Sequence, residues 1–125
     1  MKIVATGRGQ LTPNEEPISR FSLDFTGQEN PSVLLIPTAR PRPELMAKSI
    51  EMATDHFGSL GVNATPLYET FDTPPTLTQM EHEVSRASMI FGFAGDTETM
   101  IRLWRGWGLA DFLIKAAYDE TVMAG

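Results

Sequence analysis

Residues 90 to 97 read Ile-Phe-Gly-Phe-Ala-Gly-Asp-Thr, placing Gly92, Gly95 and an Asp-Thr pair between an apolar run and a helical pattern. Backbone N–H groups in such a turn can point at an anion, or at the oxygen that gains charge during acyl transfer. The positive end of the following helix adds to that attraction. The plainer alternative is a strand-to-helix turn with Asp96 or Thr97 as its N-cap, and spacing alone leaves both open. Upstream, Arg40 and Arg42 alternate with Pro41 and Pro43. A stiffened guanidinium there suits a substrate carboxylate, while a solvated loop with two charges explains the same residues.

Other chemistry is excluded residue by residue. The chain has no Cys, so it has no disulfide framework, thiolate metal site or cysteine nucleophile. His56 and His82 have no partners at metal-ligand spacing, and no metal or other cofactor is expected. His56 falls in the last turn of a helical pattern, where the dipole favours a cation, and His82 stands between Glu81 and Glu83 on a wet face. Gly7-Arg8-Gly9 follows a first apolar run without the spacing of a phosphate loop, and a tight turn suffices. Trp104 and Trp107 could stack on a ligand, but at a helix end such residues more often belong to a core or an interface. None of the serines sits in the strand-Gly-x-Ser-x-Gly-helix setting of an activated nucleophile. Ten Lys and Arg against sixteen Asp and Glu give a net charge of −6 without a basic stripe, so nucleic acid is not an expected partner. No apolar run is long enough for a bilayer, and the few uncharged residues after Lys2 are too short for a secretory core. No membrane association is expected, and the cytoplasm is the default compartment.

The elements that must position these residues follow from periodicity. At 125 residues there is room for one domain, 1–125. Apolar runs at Ile3 to Thr6, Val33 to Ile36, Val62 to Leu67, Met89 to Phe91 and Thr121 to Ala124 read as strands. The two-sided apolar character of Val33 to Ile36 predicts a central parallel strand, and the first run predicts a buried one. Pro43 opens a helix carrying Met46, Ile50, Ala53 and Phe57 on one face until Gly58 ends it. Further helices are expected over 76–87 with Leu77, Met80 and Val84 inward, over 97–104, and over 109–118. At 18–25 Ile18, Phe21 and Phe25 form a helical stripe while Phe21, Leu23 and Phe25 alternate as in a strand, and a short helix is the reading preferred. Alternating strands and helices imply an α/β three-layer architecture, a mostly parallel sheet with helices on both faces. The loops at 7–9, 37–42, 68–75 and 92–97 then share the carboxyl edge, where such sheets bind ligands.

Taken in order along the whole chain, the residues resemble peptidase E and its relatives, a serine peptidase family that includes cyanophycinase. The match runs through Lys2-Ile3-Val4-Ala5 with Gly7 and Gly9, and through Val33-Leu34-Leu35-Ile36-Pro37-Thr38-Ala39, similar to "vlfIPTA". It continues at Phe57 with Leu60-Gly61 and at Gly95-Asp96-Thr97, similar to "GGNT" or "GGDT". Leu103-Trp104-Arg105, Gly108-Leu109 and Val122-Met123-Ala124-Gly125 then resemble "iWr..Gl……vlaG", which in the family leads into a Gly-x-Ser-Ala-Gly nucleophile turn.

The resemblance implies a class I glutamine amidotransferase-like or flavodoxin-like sheet, ending here after its fifth strand, so the domain is expected to be incomplete at its C-terminus. It implies a Ser-His-Asp/Glu triad lying wholly beyond Gly125, so this chain alone is expected to be inactive. Gly95 matches the glycine that donates its backbone N–H to the oxyanion hole. Asp96 stands where Asn is usual and, with Arg40, is a candidate for substrate binding. The expected activity of the parent protein is hydrolysis of small aspartyl peptides through an acyl-enzyme. Arg8, Phe93 and Ala94 stand where the family has glycine, and side chains there narrow the approach to the backbone. Those departures favour the alternative, a catalytically inactive α/β domain that binds a ligand or partner. A small peptide is the expected substrate. A homo-oligomer or a complementing C-terminal fragment are the protein partners left open.

Overall fold

The structure is a computed structural model that describes residues 1–6, 11, 13–39 and 42–125. The expected Gly7-Arg8-Gly9 turn and Arg40 lie outside the described residues. Five strands, β1 (Lys2–Val4), β2 (Val33–Ile36), β3 (Ala64–Pro66), β4 (Met89–Gly92) and β5 (Val122–Ala124), form one sheet in the order β1-β5-β4-β2-β3. Every pairing is parallel. Among the described residues five α-helices intervene: α1 (Glu16–Asp24), α2 (Pro43–Ser59), α3 (Leu77–Arg86), α4 (Thr97–Trp107) and α5 (Leu109–Tyr118). This is the α/β three-layer fold that the alternation of patterns implies. Among the described residues no helix is long and apolar enough to cross a membrane.

The pleat divides the core in two. Val33, Leu35, Met89, Phe91 and Val122 face one side and meet Leu23 of α1 with Ala53 and Phe57 of α2. Leu34, Ile36 and Ile90 face the other and meet Met80 and Val84 of α3 with Leu109 and Leu113 of α5. Leu35, Val33, Met89 and Phe57 are fully buried, and each such side chain contributes about 1.5–3 kcal/mol of apolar transfer. Crossovers that step from β1 towards β3 use the first face, and those that step back towards β1 use the second. That division is what a single crossover hand produces.

Local chemistry sets the boundaries. Thr76 and Gln79 form a reciprocal capping box at the start of α3, and Pro43 supplies the first residue of α2. Four expectations are corrected. β1 is an edge strand rather than a buried one, and Ile3 is 61% exposed. α1 forms where the helical stripe predicts it, but it buries Ser19, Ser22 and Leu23, while Phe21 and Phe25 stack on each other outside at 5.7 Å. In α3, Leu77 is 61% exposed because it sits in the first turn, ahead of the sheet. α2 runs past Gly58 to Ser59, with the left-handed turn at Gly61, and α4 runs through Gly106 until Gly108 breaks it at φ 78°.

Candidate active site at the carboxyl edge

β4 hands the chain to α4 through Phe93, Ala94 and Gly95. Here the segment crosses the one that follows β2, backbone against backbone. Asp96 N–H donates to the Ala39 carbonyl at 2.9 Å. Gly95 has φ 154°, and a Cβ built on it stands 2.0 Å from the Ala39 oxygen, so only glycine fits. Among the described residues the Gly95 N–H makes no hydrogen bond, and the residue is exposed. An amide held in a fixed crossing and offered outward is the kind of donor that an oxyanion needs.

β5 brings a second backbone to the same place. Gly125 N–H donates to the Val4 carbonyl at 3.1 Å, and the Gly125 carbonyl accepts from Thr6 N–H at 2.9 Å, extending the ladder past Ala124. Gly125 has φ 144°, and a Cβ there would lie 2.4 Å from the Gly92 oxygen. The tail therefore runs as strand to the edge formed by the glycine-containing loop. Phe93 does not narrow this edge, because its side chain is buried edge-on against Phe91 at 5.6 Å.

The side of the edge facing α4 is aromatic. Thr38 is completely buried, and its Oγ1 accepts from the Trp104 indole N–H at 2.6 Å. Tyr68 packs edge-on against Trp107 at 5.1 Å and at a tilt against Phe71 at 5.6 Å. Its hydroxyl is buried beside Thr38 but outside hydrogen-bonding geometry. Burial pushes the phenol pKa up, and the Thr38 hydroxyl offsets a little of that rise. Below this cluster an open groove of about 270 Å³ lies on the second face, bounded by Ile3, Ala5, Met123 and Gly125 on one side and by Met100 and Trp104 on the other.

Asp96 is the N-cap of α4, its Oδ1 accepting from Thr99 N–H at 3.2 Å and its Oδ2 from the Thr99 hydroxyl at 2.8 Å. Those bonds hold its carboxyl pKa down, the backbone N–H being the larger cause. Gly95 and Asp96 thus share the edge, with Asp96 engaged in capping. Arg42 is exposed at the start of α2. His82 lies near Arg86, and among the described residues no three His, Asp or Glu gather as metal ligands. His56 is paired, its Nε2 lying 2.8 Å from the buried Ser19 hydroxyl. That pair sits near the end of α2, at the opposite end of the sheet from Gly95. Neither it nor the Thr38–Trp104 bond is visible in the sequence, since each joins residues far apart in the chain.

A model of peptidase family S51 matches residues 2–125. The uncharacterized peptidase YgaJ of Bacillus subtilis (strain 168) is 25% identical over 126 residues, covering 99% of this chain and 52% of the relative. The chain therefore spans about half the length of the curated relative it matches. A crystal structure of a peptidase from an acI-B1 Actinobacterium superimposes with a TM-score of 0.79 at 15% identity, over 98% of this chain and 52% of that one. A Listeria monocytogenes EGD-e protein assigned as a peptidase E gives a TM-score of 0.74 at 16% identity, over 100% and 58%. At those identities the two structures establish the shared fold.

Proposed function

The chain belongs to peptidase family S51, and from that premise we propose that the protein containing it hydrolyses small aspartyl peptides by acyl transfer to a serine beyond Gly125. The serine oxygen attacks the scissile carbonyl and passes its proton to a histidine base. The C–N bond breaks, the amine leaves with that proton, and water then releases the acyl group. The Gly95 N–H and the N–H following the serine hold the oxyanion. Arg40 receives the substrate carboxylate, and Asp96 takes part in substrate binding.

One observation carries this reading: the Gly95 amide, without a hydrogen-bond partner among the described residues, and the end of β5 at Gly125 share one edge, each held by a backbone contact that only glycine permits. The apolar groove adds support. A crossover leaving β5 for the free edge of β1 steps in the same direction as those carrying α3 and α5, so it would cover the second face, where the groove lies open.

Hydrolysis of aspartyl dipeptides tests the proposal. The 125-residue chain alone should show no turnover above blank. A longer form should show turnover that is lost when the serine after Gly125 becomes alanine. Serine-dependent turnover by the 125-residue chain would falsify the missing-nucleophile reading. The open groove also suits a non-catalytic binding domain covered by a second copy or a complementing fragment. A reading frame that continues into Gly-x-Ser-x-Gly decides for the enzyme, and one that stops at Gly125 decides for the binder.

A further inference from the structure

We propose that Trp104 is a positioning residue for the Gly95 amide, acting through the buried hydroxyl of Thr38. The inference rests on the peptidase reading and deepens it by naming what holds the oxyanion donor in place. Gly95 lies at the junction of β4 and α4, so its peptide plane turns with α4. The segment after β2 fastens that helix twice. Ala39 accepts from Asp96 N–H at the first turn, and Thr38, the adjacent residue, accepts from the Trp104 indole two turns further along. Eight residues of helix separate Asp96 from Trp104, and the indole reaches back so that both bonds end on adjacent residues after β2. A single hydrogen bond at the N-cap would leave α4 free to rock about it. A second bond, made by a side chain two turns along the helix, restrains rotation of α4 about the first, and with it the direction of the Gly95 N–H.

The surroundings make the Thr38–Trp104 bond costly to lose. Thr38 is fully buried, so removing its donor strands a hydroxyl away from water. Its other polar neighbour, the Tyr68 hydroxyl, is buried and finds no hydrogen-bond partner among the described residues, with its ring held edge-on by Trp107. Trp104 also borders the groove whose far side is formed by Met123 and Gly125.

The test uses three conservative variants, of which Thr38→Val keeps side-chain volume. Trp104→Phe removes the donor, Thr38→Val removes the acceptor, and Thr38→Ser keeps it. In the 125-residue chain, amide exchange at Asp96 should speed up by about tenfold or more in the first two variants, with a shifted Gly95 resonance. Leu35 and Phe91 in the sheet should be unchanged, and Thr38→Ser should match the parent. Unaltered Gly95 and Asp96 amides in both Trp104→Phe and Thr38→Val would overturn the proposal, as would equal changes across the sheet. In a longer, active form the same two variants should lower kcat by about tenfold or more with KM within about twofold, and the double variant should be no worse than either alone. A longer form that is inactive with Trp104 intact refutes the peptidase reading, whereas the amide measurement still decides the positioning role.

Discussion

Replacing Gly95 by alanine puts the crossing of the two loops to a quantitative test. A Cβ at that position lies 2.0 Å from the Ala39 oxygen and 2.8 Å from its carbonyl carbon, whereas real contacts do not fall below 3.0 Å. One segment must therefore retreat by about 1 Å. That retreat stretches the 2.9 Å Asp96–Ala39 hydrogen bond beyond bonding range. The lost bond costs about 0.5–1.5 kcal/mol and the backbone strain at positive φ about 1–3 kcal/mol, so the destabilisation should be about 2–4 kcal/mol. For a chain of this size that is a fall in Tm of roughly 8–16 °C. Urea unfolding followed by tryptophan fluorescence measures it, with the m-value unchanged if the native state alone is affected. A loss below about 0.5 kcal/mol would refute the crossing, because an alanine tolerated there means the loops do not touch.

Gly106→Ala is the opposite case: nothing lies within 4 Å of its Cβ and it sits inside α4, so stability should rise by about 0.5–1 kcal/mol in the same assay, and a loss would show that the helix does not pass through it. Asp96→Asn keeps an acceptor for Thr99 N–H and should leave Tm unchanged, while Asp96→Ala should lower it; equal Tm values would remove the capping role. Burial holds the His56 imidazole below its ordinary value near 6.5, against the upward pull of Glu15 and Glu16. The unfolded chain then binds a proton that the folded one refuses, so the stability present above about pH 6.5 falls as pH drops below it. His56→Gln should flatten that slope in Tm measured from about pH 7.5 to 5, and a slope identical to the parent's contradicts the assignment.

What could be read in the sequence depended on how local its cause was. Four consecutive apolar residues at Val33 to Ile36 fix a strand covered on both faces, and Thr76 with Gln79 encodes its own cap. The resemblance singles out Gly95 as an oxyanion donor, whereas the approach of the Ala39 carbonyl to it depends on β2 and β4 being neighbours and could not be read locally. Ile3 misled because an apolar run reports which residues suit a sheet and does not report whether anything covers them. Phe21, Phe25 and Leu77 had helical spacing, yet the face turned inward is chosen by the sheet beneath. The Thr38–Trp104 and Ser19–His56 bonds span 66 and 37 residues, and only strand order and helix packing bring such pairs together.

The proposed oxyanion donor is tested most directly by following the Gly95 amide while a longer form is treated with an aspartyl peptide aldehyde. Attack of the serine on that aldehyde leaves an oxyanion where the transition state would hold one. The Gly95 amide proton should move downfield as the adduct forms and slow its exchange with solvent. An adduct that forms in full while the Gly95 resonance and its exchange stay as they were would contradict the account.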